Sequence, residues 1–191
     1  AGGSVTVRAE GGLLGAQVRG SLACRLVGGY PVSGVIDFAG LSLSSLRAAF
    51  APEGPGKWPM EAVASGKMSF NGELRKPDSW QGMVEAPSLE VRPAGERAPA
   101  ILQLRNAEPV IVSIDRKAAR IRSAHLKGPG TSIEARGGVD LSKPGGVFDL
   151  RLEGGVNLSI LQEFDPNMTA VGDSLLDLTI QGPLRKPDVA G

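Results

Sequence analysis

The sequence predicts an all-β protein built from an antiparallel sheet, with two short helical turns. Short runs of alternating apolar and polar residues recur along the chain, which is typical of strands with one buried and one solvated face. The 27 glycines and 14 prolines fall between these runs rather than in one block, and they place turn signals about every 8 to 12 residues. Because the connections are short, neighbouring strands should run up and down and pair antiparallel.

The first strands are predicted from alternation and from the glycines that interrupt it. Ser4 to Ala9 reads as a strand that ends at Gly11-Gly12. Residues 14–26 keep one parity across Gly20, which indicates a long strand bent or bulged at that glycine. Ser44-Ser45 is placed to cap a short helical turn that continues to Phe50.

The later elements follow from the same signals. In chain order they are a turn at 28–31, a strand at 32–40, a Pro/Gly loop at 51–62, a strand containing Met68, Phe70 and Leu74, short strands at 83–86 and 89–91, an alternating stretch at 101–105, a hairpin of 110–114 and 119–127, strands at 133–141 and 147–153, a second helical turn, and a final strand.

An internal repeat links the middle of the chain to its end. LRKPD occurs at 74–78 and again at 184–188, each time after a strand-like run. Leu-Ser-x-Leu precedes both copies, at 43–46 and 158–161, and a Phe follows each at Phe50 and Phe164. We therefore expect repeat units at about 40–91 and 155–191 within one β-rich segment, 1–191, of a longer protein.

The charge balance argues against a nucleic-acid partner. Lys and Arg total 21 and Asp and Glu total 20, so no broad basic surface is expected. The densest basic run, Arg116-Lys117 with Arg120 and Arg122, lies between two apolar runs and is predicted to be a hairpin tip and a solvated strand face. No apolar run reaches the roughly 18 residues of a membrane-spanning helix.

The residues that usually carry catalysis are isolated in this sequence. One histidine, His125, and one cysteine, Cys24, cannot build a metal site alone. His125 is predicted on a strand surface, and Cys24 is predicted to be a buried, unreactive thiol. Asp37, Asp149 and Asp177 each alternate with apolar residues, which favours solvent exposure over paired acid–base work. We expect a protein that is not an enzyme and that has no metal or cofactor.

The alternation also predicts one uncharged apolar face. Such a face has to be covered by closing the sheet, by curling it over itself, or by a ligand. Its predicted members are Val18, Leu22, Ile36, Phe38, Met68, Phe70, Val112, Ile133, Val139, Phe148, Leu150, Leu152, Leu176, Leu178 and Ile180.

The order of motifs resembles the TamB/AsmA-like family of diderm bacteria, whose repeat is "l-x-x-l" followed by "G-x-l-x-l-x-G-x-l-x-x-P". The first copy matches with Leu43, Leu46, Gly66, Met68, Phe70, Gly72, Leu74 and Pro77. The second matches with Leu158, Leu161, Leu178, Ile180, Gly182, Leu184 and Pro187, but Leu176 replaces its opening glycine. The stretch from Pro109 to Leu141 resembles another family segment, with one register slip at Gly137-Gly138.

The resemblance implies an elongated, curled antiparallel sheet, a solenoid-like β-taco, in a periplasm-spanning protein anchored in the inner membrane. Its apolar groove would conduct phospholipids toward the outer membrane, continued by neighbouring segments of the same chain. A related expected role is outer-membrane protein assembly with a barrel-type partner. The alternative is a non-enzymatic structural or adhesin-like sandwich or solenoid with a closed core. An outer-membrane barrel is disfavoured, because aromatics at 4% are too few for two interfacial girdles.

Overall fold

The computed structural model of the chain describes residues 2–50, 60–93, 103–143, 146–158, 169–183 and 186–191. Within them, one 13-stranded sheet accounts for nearly all regular structure, and every strand pair is antiparallel. The predicted all-β class is confirmed. The elements are β1 (Ser4–Leu13), β2 (Ala16–Arg25), β3 (Pro31–Ser42), α1 (Leu43–Phe50), β4 (Met60–Glu73), β5 (Lys76–Pro93), β6 (Leu104–Asn106), β7 (Val110–Asp115), β8 (Ala118–Ser123), β9 (His125–Gly128), β10 (Thr131–Asp140), β11 (Val147–Asn157), β12 (Asp173–Pro183) and β13 (Asp188–Ala190).

Strand order follows chain order except at a fork in the middle of the sheet. β1 to β5 lie side by side, and so do β10 to β13. Between β5 and β10, one half of the sheet contains β7 and β8, and the other half contains β6 and β9. β5 and β10 therefore each pair with two different strands along the same edge.

Several predicted strand limits were wrong at glycines. Gly11 and Gly12 lie inside β1, opposite Val18 and Gln17, because pairing with β2 overrides their weak intrinsic strand preference. The turn instead falls at residues 14–15, where Leu14 has φ 53°. Gly20 pairs in regular register with Ile36, so β2 has no bulge there.

The middle of the chain is also more continuous than predicted. β5 runs unbroken from Lys76 to Pro93, so the two short strands at 83–86 and 89–91 are one strand with a bulge. β4 begins at Met60, which shortens the predicted loop, and residues 51–59 lie outside the described residues. Leu74 lies in the β4–β5 turn rather than in the sheet. β10 pairs with β11 in unbroken register through Gly137-Gly138.

The first predicted helical turn is confirmed as α1, but its cap lies earlier than expected. Ser42 Oγ accepts a hydrogen bond from the Ser45 N–H at 3.1 Å, so Ser42 rather than Ser44-Ser45 is the N-cap. The second predicted helical turn, from residue 159 onward, falls outside the described residues.

Two bulges keep the apolar residues of β3 and β5 on one side of the sheet. In β3 the register shifts between Phe38 and Leu41. Gly40 adopts φ 74° there, and its N–H donates to Ser65 Oγ at 3.0 Å. In β5 the register shifts by one residue beside Ser65, so that Leu89 regains the side occupied by Val84.

Asn106 holds the β5 bulge at the fork. Its Oδ1 accepts the Leu89 N–H at 2.7 Å, and its Nδ2 donates to the carbonyls of Pro87 at 3.0 Å and Glu108 at 2.8 Å. A cluster of buried residues lies at the same point of the sheet. It consists of Ala86, Val110 and Ala124, with Leu89, Val112, Ile121 and Ala135 packed against it.

We predict that Asn106→Ala lowers the free energy of unfolding by about 1–3 kcal/mol, because it leaves the Leu89 N–H and the bulge carbonyls without their partner. Urea denaturation followed by circular dichroism measures the change. Asn71→Ala, at an exposed position on β4, is the control and should stay within about 0.5 kcal/mol. Equal stability of the Asn106→Ala and wild-type chains would contradict this role.

Candidate functional site

The strand register defines a continuous apolar face. Directly opposed residues of antiparallel strands point to the same side, so a row can be followed from strand to strand. One such row crosses from β1 to β13. It contains Ala9, Gly20, Ile36, Met68, Val84, Val112, Ile121, Gly137, Leu150, Ile180 and Val189. We call the side of the sheet that this row occupies the apolar face.

Every residue predicted to line a groove lies on the apolar face. These residues are Val18, Leu22, Ile36, Phe38, Met68, Phe70, Val112, Ile133, Val139, Phe148, Leu150, Leu152, Leu176, Leu178 and Ile180. Among the paired residues of the described strands, none on this side is charged. Sequence reasoning omitted Val84, Ile114 and Ile121, although the parity of their strands was already a signal for them.

The apolar face is only partly shielded from water. In the described part of the chain, seven hydrophobic residues have 9% exposure or less, four of them alanines, and no large side chain is completely enclosed. Central residues such as Met68 and Leu150 are half-buried. At the edge, every residue of β1 is exposed, including Val5 and Val7. A closed core would enclose the larger aliphatic side chains, and this face does not.

One aromatic pair interrupts the aliphatic surface. The Phe70 and Trp80 rings stack with centroids 5.9 Å apart and an angle of 24°. Glycines make room for both rings, because a Cβ at Gly34 would collide with Phe70 and a Cβ at Gly72 would lie 2.8 Å from Trp80. Because Gly34 and Gly72 have no Cβ, both rings can lie close to the backbone of the sheet.

The opposite side, called here the polar face, carries charges in an alternating pattern. One row reads Glu10, Arg19, Asp37, Lys67 and Glu85 across five strands. Arg19 and Glu10 pair at 3.0 Å, and this hydrogen-bonded pairing lowers the pKa of Glu10 and raises the pKa of Arg19. A second network surrounds Arg151, which bonds Asp177 at 2.8 Å.

A shallow depression of about 520 Å³ lies over β1 to β5 and is lined mainly from the polar face. Among its lining residues are Ser21, Ser33, Ser69 and Asn71, whose side chains are shorter than those of neighbours such as Gln81 and Met83. No charged residue lines it. Leu22 and Phe70 of the predicted groove also line it, but most of its lining residues point to the polar face, so this open depression is not the predicted groove.

The isolated polar residues are placed much as the sequence indicated. Asp37, Asp149 and Asp177 are exposed on the polar face. His125 is half-buried, with its Nε2 2.8 Å from Ser132 Oγ. Cys24 is half-buried on the apolar face rather than fully buried. The described residues contain no group of His, Cys, Asp and Glu side chains that could hold a metal ion.

Two turns at one edge of the sheet are fastened by aspartates. Asp115 accepts the backbone N–H groups of Lys117 at 2.7 Å and Ala118 at 2.8 Å, which lowers its pKa. Asp140 accepts the hydroxyl of Ser142 at 2.5 Å and its N–H at 2.9 Å, and these bonds lower the pKa of Asp140 as well.

We predict that these turns loosen in acid. Both folded-state pKa values lie below the ordinary 3.8, so the stabilisation is present above that value and is lost as pH falls through the folded-state pKa. Asp115→Asn/Asp140→Asn should be less stable than wild type at neutral pH, and the difference in urea midpoint should shrink as pH falls below 3.8. A difference that stays constant over the whole range would contradict the assignment.

Comparison with known proteins yields no assignment. No family model, curated protein or solved structure matches this chain. Among the described helices, none is long and apolar enough to cross a bilayer.

Proposed function

We propose that this segment conducts phospholipids between the inner and outer membranes of a diderm bacterium, with their acyl chains lying on the apolar face. The observation that carries the proposal is the unbroken apolar row that crosses the sheet while its side chains remain half-exposed. The family resemblance of the repeated motifs supplies the periplasmic setting. The protein acts in this proposal without catalysing a reaction.

The energetics favour an apolar occupant. Aliphatic surface left in water costs about 25 cal/mol for each Å² that could be covered. Acyl chains would cover it without burying a charge, since the paired residues of this face in the described strands are uncharged. A soluble polar ligand would gain nothing comparable.

The dimensions suit an extended chain that moves across the strands. Strands lie about 4.8 Å apart, so the row from β1 to β13 extends about 48 Å along the sheet. Residues two apart in a strand are about 6.6 Å apart, which leaves several parallel rows for a lipid with two chains. The path exceeds one acyl chain, as a conduit requires.

The composition of the face favours sliding over fixed binding. Val, Leu, Ile and Met present similar surfaces, and because the paired residues of this face in the described strands are uncharged, no single position holds a ligand strongly. Neighbouring segments of the same chain would continue the path. The resemblance also suggests assistance in outer-membrane protein assembly, with a barrel-type partner.

The test compares substitutions on opposite faces of the same strands. The chain is purified without detergent from a diderm host, and bound lipid is measured by native mass spectrometry and solvent extraction. Met68→Asp and Leu178→Asp place a carboxylate on the apolar face. The matched controls Ser69→Asp and Thr179→Asp place the same charge on the polar face.

We expect phospholipid to co-purify with wild type and with both controls, and to fall about tenfold in the apolar-face variants, because a carboxylate among acyl chains is strongly disfavoured. Circular dichroism verifies that all variants fold. A folded wild-type chain free of lipid, or equal losses for both faces, would instead favour the scaffold or adhesin-like alternative.

A further inference from the structure

The polar face carries one patch of uncharged side chains over β1 to β5, where the depression of about 520 Å³ lies. We call the polar-face lining of this depression the polar trough. Two neighbouring rows of opposed residues form it. The first row contains Thr6, Ala23, Ser33, Asn71 and Gln81, and the second contains Ser21, Val35, Ser69 and Met83. Both rows are uncharged, whereas the next row along the strands, from Glu10 to Glu85, is charged at every position.

The polar side chains of the trough have no partner in the described part of the protein. They are exposed, and none of them donates or accepts a hydrogen bond within the described residues; they are Thr6, Ser21, Ser33, Ser69, Asn71 and Gln81. Elsewhere on the same face such groups are engaged. Ser113 Oγ accepts a hydrogen bond from Arg122 at 3.0 Å, and Ser132 Oγ lies 2.8 Å from His125 Nε2. The trough therefore presents a set of unused donors and acceptors held in place by the strands.

The lining of the trough disfavours both charged and apolar ligands. Among the described residues, none that lines the trough is charged, so a phosphate or a carboxylate would gain no ion pair there. An apolar ligand would cover hydroxyl and amide groups and leave them without hydrogen bonds, which costs free energy. Hydroxyl groups and side-chain amides both donate and accept hydrogen bonds. The complementary ligand is therefore neutral and rich in hydroxyl or amide groups, as an oligosaccharide is.

The spacing of the apolar residues within the trough narrows this class. In the second row, apolar and polar residues alternate from strand to strand, with Val35 on β3 and Met83 on β5. Neighbouring strands lie about 4.8 Å apart, so the backbones at these two residues are about 9.6 Å apart across the sheet. This distance is close to the two-sugar repeat of a β-1,4-linked chain, in which every second unit presents the same side. Val35 and Met83 are thus spaced to contact the methyl groups of N-acetyl substituents on every second sugar.

We propose that the polar trough binds a neutral β-1,4-linked N-acetylated glycan that lies across β1 to β5. The hydroxyl and amide side chains would exchange hydrogen bonds with the sugar hydroxyls and acetamide groups, and Val35 and Met83 would contact acetyl methyl groups. The trough extends about 19 Å across the strands, which accommodates about four sugar units. Because the glycan would lie on the polar face, the apolar face would stay available for acyl chains. This inference does not depend on lipid conduction.

The experiment titrates the detergent-free 191-residue chain with the hexamer of N-acetylglucosamine and, in parallel, with cellohexaose, which has the same linkage but no acetamide. Calorimetry measures affinity, and amide NMR shifts locate the sugar. Ser33→Ala/Gln81→Ala removes one hydroxyl and one amide from the first row. The control Gln17→Ala/Ser88→Ala removes the same two groups at exposed positions outside the trough. Val35→Thr/Met83→Gln replaces the apolar contacts with polar side chains of similar size.

We expect saturable binding of the N-acetylated hexamer to wild type. Ser33→Ala/Gln81→Ala should bind it about tenfold more weakly, because two hydrogen bonds are lost, and the control should bind like wild type. Wild type should bind cellohexaose about tenfold more weakly than the N-acetylated hexamer, and Val35→Thr/Met83→Gln should lose this preference, because the acetyl methyl groups no longer meet apolar surface. The NMR shifts should fall on β1 to β5. Co-purified lipid should be unchanged in the trough variants, which separates glycan binding from acyl conduction.

Three results would overturn the proposal. They are no saturable binding of the N-acetylated hexamer, equal losses in Ser33→Ala/Gln81→Ala and its control, and equal affinity of wild type for the two sugars. NMR shifts centred on β10 to β12 would place the sugar elsewhere and would also contradict it. Circular dichroism establishes that each variant is folded. If Ser33→Ala/Gln81→Ala is unfolded, the comparison of the two sugars on wild type and the positions of the shifts decide the outcome.

Discussion

The period of two along each strand is the constraint on which this sheet depends. A shift of one residue would move every following aliphatic side chain to the solvated side. The chain meets this constraint at its bulges. In β5 the apolar positions pass from Val84 before the bulge to Leu89 after it, and β3 makes the matching change between Phe38 and Leu41. β4 pairs with both strands and keeps its own alternation opposite both bulges. Its Gly66 packs against the β5 backbone.

The face of the sheet to which each side chain points could be predicted from the sequence, because it depends only on alternation within one strand. Within one strand, alternation alone separates Leu150 from Asp149, and no knowledge of the partner strand is needed. The fold class follows from the same signal. Strand limits could not be predicted as well, since Gly11-Gly12 looks like a terminator until pairing with β2 is known. The cap at Ser42 was hidden for a similar reason, because several adjacent serines offer equivalent hydroxyl groups.

The fork lies beyond sequence reasoning for a different physical reason. Which turns share an edge depends on counting strand reversals, and treating β5 as two strands changes that count. Asn106 gives no periodic signal, yet its amide satisfies backbone groups of β5 some 17 to 20 residues away. Its role depends on which distant backbone groups the fold brings next to it. The two faces differ in charge: ion pairs such as Arg151–Asp177 lie on the polar face, whereas the paired residues of the described strands on the apolar face carry none.

The fork also affects how the sheet would lose its order. β1 to β5 form one arm and β10 to β13 another, and within each arm pairing joins strands that are adjacent in the chain. The arms are connected through β6 to β9, of which β6 has 3 residues and β9 has 4. Repeat-like sheets with nearest-neighbour contacts melt in sections. Because the joint also holds the buried cluster of Ala86, Val110 and Ala124, the exposed outer strands of each arm would separate before it, and the chain would unfold in steps rather than in one transition.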